Sequence, residues 1–307
     1  MAELARDFVH RDVAEYLEAD ERNEIRYPAE LVERMRELGF FGITIPEEFG
    51  GLALDRHAAA AFNLAMGAGW ASLSALLGSH LRACYYLLKR GTPAQQRKFL
   101  PRLADGSLIF AHALHEQGNR TPSHFKAHLT CEGDYYLLNG LKDWVTNAQN
   151  ADYMVVIARN AVGAGDGLAA VIVDPRRAGV HVEPDLRRPG VKGVTLCAVR
   201  FTGYEVSPED ELVGGPLTDV TTLVETYSAS TSLNFAARAL GASYAVLEDC
   251  MRYLRRRDPP PAGLEVIQHR FGRMALRVEA AAALYSRALG PEGSSGTLPS
   301  MAKVFCT

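Results

Sequence analysis

The sequence is poor in cysteine, and the five it has follow no pattern. Cys84, Cys131, Cys197, Cys250 and Cys306 are scattered over 307 residues without a CxxC pair, which points away from a zinc site and from a disulfide framework. Excess charge of one sign is also missing. A net charge of −3 provides no general attraction to nucleic acid, and the basic run "RYLRRR" (Arg252 to Arg257) is only local. The amino terminus, "MAELARDFVHRDVAEYLEADERNE", is charged throughout and lacks the apolar core of a signal peptide, so a cytoplasmic protein with reduced thiols is expected. Long apolar runs are almost absent. The one exception, "AAAAFNLAMGAGWASLSALLG" (Ala58 to Gly78), matches the length of a membrane span. It is rich in Ala, Gly and Ser rather than in Leu, Ile and Val, so a buried helix of a soluble bundle is expected and no membrane partner.

With 48% apolar and 22% charged residues, the chain is ordinary globular material, and its pattern changes twice. Residues 1–108 read as helices. "YPAELVERMRELGF" starts at Pro28, places Leu31, Val32, Met35 and Leu38 at helical spacing and stops at Gly39. In "TPAQQRKFLPRLADG", Thr92 and Gln95 form a capping box. Residues 109–215 read as short strands rich in branched and aromatic residues, arranged as an antiparallel barrel or sandwich. Asn139-Gly140 is read as a hairpin turn between two of them. Residues 216–307 return to helical spacing: Leu223 to Leu254 form one long amphipathic stripe, and a second follows through Ile267, Met274, Val278, Ala281 and Tyr285. The class is α+β.

Seven segments in order carry a resemblance. "LGFFGITIPEEFGGLALD", "GTPAQQRKFLPRLADGSLIFAHALHE", "LNGLKDWVTNAQNAD", "GVKGVTLCAVRF", "AARALGASYAVLEDCMRYLRRR", "EVIQHRFGRMALRVEAA" and "SMAKVFCT" together resemble the acyl-CoA dehydrogenase family over nearly the whole chain. The resemblance implies an N-terminal helical domain, a central antiparallel β-barrel domain and a C-terminal long-helix domain that is incomplete relative to the family. It implies FAD as cofactor. Trp144 would pack beside the isoalloxazine ring, Val145 would accompany it, and the Thr146 hydroxyl would bond near the reducible nitrogen. The family's "LTEPGAGSD", which lines flavin and acyl chain, reads "LHEQGNRTPSH" here, so Leu114, His115 and Thr121 stand at flavin-lining positions. Arg255, in the run Arg255 to Arg257, would reach a flavin pyrophosphate.

The resemblance also implies an acyl thioester substrate, carried by coenzyme A or a carrier protein, an electron-transfer flavoprotein as acceptor, and a homo- or hetero-oligomer. No catalytic base is identified. The glutamate that most members carry about seventy residues after "MAKxF" falls beyond Thr307. The positions of the earlier glutamate–arginine pair are Thr231 and Ser232, and Glu225 is read as a surface carboxylate. A base-deficient or non-catalytic subunit working with a fuller partner is therefore the alternative to an oxidoreductase. His112, His115, His124 and His128 raise a metal site, but no metal is expected, because a spacing of three along a strand turns His112 and His115 to opposite faces.

Overall fold

The structure, a computed structural model, describes residues 1–19, 27–118, 124–160, 167–186, 189–215, 218–257, 265–291 and 297–307, side chains at 18, 19 and 225–230 excepted. Helix α1 (Ala2–Phe8) runs through a π-helical turn (Val9–Val13) into α2 (Ala14–Ala19). Helices α3 (Ala29–Glu37), α4 (Arg56–Ala68), α5 (Ala71–Arg90) and α6 (Pro93–Ala104) follow. Seven strands come next: β1 (Phe110–Ala113), β2 (His128–Glu132), β3 (Tyr135–Thr146), β4 (Tyr153–Asn160), β5 (Leu168–Val173), β6 (Val180–Val182) and β7 (Leu196–Val206). Helices α7 (Thr221–Arg256), α8 (Glu265–Leu289) and α9 (Leu298–Cys306) end the chain. The order is helices, strands, helices, while compactness cuts the chain differently, into two units built from separated stretches.

One unit comprises Met1–Arg22, Asp55–Ser74 and Tyr227–Thr307. The long apolar run is not one helix. It breaks at Gly69 between α4 and α5, where a Cβ would meet the Val9 methyls at 2.7 Å, and no described helix is long and apolar enough to cross a membrane. Helices α4 and α7 approach almost backbone to backbone: a Cβ on Gly241 would lie 2.1 Å from the Leu64 carbonyl oxygen, and one on Gly67 2.6 Å from Arg238 Cα. Small residues continue that logic through the core, where Ala60, Leu233, Ala236, Ala237, Leu240, Ala281 and Tyr285 pack together. The expected stripe on α7 is therefore buried at Leu233, Ala237 and Leu240, but Leu247, Met251 and Leu254 are only half-buried.

The other unit, Asn23–Leu54 and Ala75–Thr226, is a seven-stranded sheet with helices against one face. Strand β4 reads "YMVVIARN" without alternation because both its faces are covered. Met154, Val156 and Ala158 join Leu129, Leu138, Val171 and Phe201 in one core, while Val155 and Ile157 join Leu87, Phe99, Leu100 and Leu103 in the other. The sheet is mixed rather than purely antiparallel, since β1 and β2 both run parallel to β4. Asn139-Gly140 is not a hairpin turn. Strand β3 passes straight through it, and the β2–β3 turn lies at Gly133-Asp134, with Gly133 at φ +68°. Glycine is needed at 140 for a different reason, because a Cβ there would sit 2.5 Å from Ala127 Cα. Opposite it β7 carries one extra residue, and Asn139 Oδ1 accepts the Gly203 amide at 2.8 Å. The pair marks a bulge that bends the sheet.

Strand β1 lies at a sheet edge, with amides that its neighbour β4 does not take up. Helix α5 supplies their partners. The Phe110 amide donates to His80 Nδ1 at 3.3 Å and the His112 amide to Ser79 Oγ at 3.1 Å. With Nδ1 accepting, the proton of neutral His80 sits on Nε2, which donates to the Leu103 carbonyl at 3.1 Å. Burial pushes the His80 pKa down to about 4. The neutral ring is the form the fold holds, so its stabilisation is full above the unfolded value of about 6.5 and is lost as pH falls towards 4. We expect His80 alone to remove about 2 kcal/mol of stability between pH 7 and pH 5. Urea midpoints that stay level across that interval would contradict the assignment.

Candidate functional site

A second bulge decides what β3 presents. In an unbroken strand Lys142 and Trp144 would share a face. Lys142 pairs with Val199 and Val145 with Cys197, so β3 holds one extra residue between them. Trp144 takes φ +58°, a conformation that costs a bulky side chain energy and persists where surrounding structure enforces it. The strand's parity changes there. Lys142 and Val145 both point inward, Val145 into the sheet core, and Trp144 is turned out with 56% of its surface exposed.

The residues after β1 are held against this bulge by a buried ion pair. Lys142 Nζ donates to Glu116 Oε1 at 2.8 Å and to the Leu114 carbonyl at 3.1 Å, and lies 4.0 Å from the centre of the Phe125 ring. The Glu116 carboxylate also accepts the Lys126 amide at 2.6 Å and the Ala127 amide at 3.1 Å. Burial works against both charges. It takes Lys142 down to about 8 despite the opposing pull of Glu116. For Glu116 the burial effect is outweighed by the Lys126 amide, Lys142 and the Ala127 amide, which hold the carboxyl below its usual range. The register continues at the neighbouring residues: the Asp143 amide donates to the His115 carbonyl at 2.8 Å, and Asp143 Oδ2 accepts the Gln117 amide at 2.9 Å.

Ser79 closes the arrangement by donating to the Thr146 carbonyl at 3.2 Å while accepting from the His112 amide. Around it gather buried polar atoms that the described residues leave without a hydrogen bond: His112 Nε2, both amide atoms of Asn147, and Arg82 Nε, with Arg159 Nε the remaining case. Such atoms are costly when unmatched. His112 stacks on Tyr86 at 5.4 Å, and burial, reinforced by Arg82, His115 and Lys142, keeps its ring neutral. An exposed aromatic wall beside unmatched buried donors and acceptors fits a planar, hydrogen-bonding group such as an isoalloxazine ring.

Leu114, His115, Trp144, Val145 and Thr146 are thus brought together within one unit. Val145, however, is fully buried in the sheet core, away from the face that Trp144 presents, and His115 lies past the end of β1 rather than on it, so the opposite-face argument does not apply to the histidines. Thr121 and the side chain of Glu225 lie outside the described residues. Arg255 is exposed on the last turn of α7, in the other unit. Thr231 is half-buried and Ser232 buried on the same helix. Among the described residues no three His, Cys, Asp or Glu side chains gather as a metal site would require. Sequence reading missed Lys142, Ser79, Arg82 and Asn147. Only Lys142 left a signal, a charge four residues from Leu138 on the core-facing side of a strand.

Replacing Lys142 by Met should leave Glu116 buried without a counter-ion and cost about 3–5 kcal/mol, whereas Lys142→Met with Glu116→Gln should recover much of it. Chemical denaturation measures both, and a single variant as stable as the parent would show that the pair does not restrain the loop.

Models of the acyl-CoA dehydrogenase N-terminal, middle and C-terminal domains match residues 1–107, 115–204 and 229–307. A probable acyl-CoA dehydrogenase of Bacillus subtilis (strain 168) is 30% identical over 298 residues, covering 94% of this chain and 49% of that relative. The glutaryl-CoA dehydrogenase of Desulfococcus multivorans is 29% identical over 292 residues, covering 92% and 74%. The chain therefore spans about half of the first relative's length and about three quarters of the second's. The solved butyryl-CoA dehydrogenase of Megasphaera elsdenii superposes with a TM-score of 0.88 over 99% of this chain and 82% of its own, at 24% identity, a likeness of fold. With three domain models in order, a fold shared end to end and the bulged Trp144 segment in place, the chain belongs to the acyl-CoA dehydrogenase family.

Proposed function

We propose that this chain is a flavin-dependent oxidoreductase acting on the CH–CH group of an acyl thioester carried by coenzyme A or a carrier protein. The observation that supports it most is the bulge that turns Trp144 outward next to the unmatched Asn147 amide and His112 ring. FAD, when bound, supplies the ring that accepts a hydride. The chain's own part is positional. Trp144 walls the ring from water, and Thr146, its carbonyl tied to Ser79, offers a neutral hydroxyl without a full charge. Leu114 and His115 are kept in register by Lys142 and Asp143. Thr121 and Arg255 are the remaining candidates for cofactor contacts, Arg255 for the pyrophosphate. An electron-transfer flavoprotein is the proposed acceptor. Exposed Val246, Tyr253, Val266, Leu276 and Val304 on α7 to α9 favour an oligomer. The purified protein should show the visible absorbance of bound flavin, and Trp144→Ala should weaken binding by about tenfold. Colourless protein that ignores added FAD would refute the reading.

The second reading, a base-deficient subunit completed by a fuller partner, is favoured by the hydroxyls at Thr231 and Ser232, because a hydroxyl accepts a proton poorly near neutral pH without its own activating base. Under it, the chain alone turns over simple acyl-CoA substrates slowly with an artificial electron acceptor, and Thr231→Glu raises the rate. Rapid turnover by the unmodified chain would remove this reading.

A further inference from the structure

Helix α5 carries Ser79, Arg82 and Tyr86 at intervals of three and four, so the three share a face. Ser79 and Tyr86 both contact His112, one through a hydrogen bond and the other by stacking. Arg82 lies between them and is therefore directed at the junction of β1 with the Thr146 end of β3. Its Nε is buried without a hydrogen-bond partner, and no described carboxylate forms an ion pair with it. The buried carboxylate of Glu116 is already committed to Lys142 and two amides. A guanidinium with a buried, unmatched donor is costly against a hydrocarbon chain. Its planar fork matches a carboxylate, to which it can donate two parallel hydrogen bonds.

We propose that Arg82 is a specificity-determining residue that recognises a carboxylate carried on the acyl group, so that the substrates are thioesters of dicarboxylic acids rather than of plain alkyl acids. This rests on the thioester reading above. Lys142, the buried cation on β3, is already neutralised by Glu116, which leaves the Arg82 guanidinium available to an anionic ligand. An anionic acyl end supplies the charge that the site lacks, and its binding requires no bond to be made or broken.

The test compares dissociation constants of succinyl-CoA and butyryl-CoA, and of glutaryl-CoA and valeryl-CoA, by calorimetry on the flavin-loaded protein. Each pair matches chain length and differs in the terminal charge. The carboxylated member of at least one pair should bind about tenfold or more tighter, as expected of a charge-assisted fork. Arg82→Gln should abolish that preference, while Arg82→Lys retains only part of it. Thermal midpoints and flavin content of both variants accompany the measurement, and Arg82→Lys serves if Arg82→Gln does not fold. Equal binding within both pairs by the parent protein overturns the inference and leaves the thioester reading standing. Loss of flavin from Arg82→Gln with the preference unchanged places Arg82 at the cofactor and also overturns it. Failure of all four thioesters to bind overturns both.

Discussion

The buried pair of Glu116 and Lys142 is the constraint on which the site depends. Two charges taken out of water are expensive, and the arrangement is tolerable only because each is surrounded by partners. The carboxylate takes two amides and the ammonium, and the ammonium takes a carboxylate, a carbonyl and an aromatic face. None of these groups can move independently. The loop that leaves β1 is therefore tied to β3 two residues before Trp144, and Leu114 and His115 are brought to the strand end that presents the indole. The pair links positions 26 residues apart in sequence. Its value is in position more than in stability, since a well-packed apolar pair of equal volume could serve the fold as well.

Helix α5 supplies the complementary constraint. An edge strand exposes unpaired amides, and two consecutive side chains of the helix, Ser79 and His80, take up those of His112 and Phe110. Ser79 then reaches Thr146 on β3, so one helical turn fixes both strand ends that frame the site. The same docking places His80 and His112 in surroundings where a charged ring is disfavoured by burial. With His80 and His112 held neutral by burial and the Lys142–Glu116 pair closed on itself, Arg82, which has no carboxylate partner among the described residues, leaves the junction electropositive. That imbalance is the basis of the proposed preference for a carboxylated acyl group.

Much of the architecture was legible before any coordinates. The capping box at Thr92 and Gln95 forms as its spacing implies, with both hydrogen bonds in place. Helices α7 and α8, the strands that precede them and the tryptophan segment also stand where they were expected. Asn139-Gly140 was misread because its chemistry, tolerance of unusual φ and absence of a Cβ, serves a bulge as well as a turn. The choice between the two is made by Ala127, which leaves no room for a side chain at 140. The long apolar run was misread in a related way. Its composition describes burial correctly, but the break at Gly69 follows from the proximity of Val9, a residue sixty positions away.

What the sequence determined by itself was local: which segments are helix or strand, which face of each is apolar, and which short motif resembles a flavin-facing hairpin. These follow from periodicity and from the conformational limits of single residues, which act over a few positions. Only the tertiary structure decided that Trp144 faces outward, because one extra residue in β3 against β7 reverses the side on which it points. Only it matched Lys142 to Glu116 and left Arg82 without a counter-ion among the described residues. Pairing of charges and donors depends on distances between remote segments, and those exist only once the chain has folded.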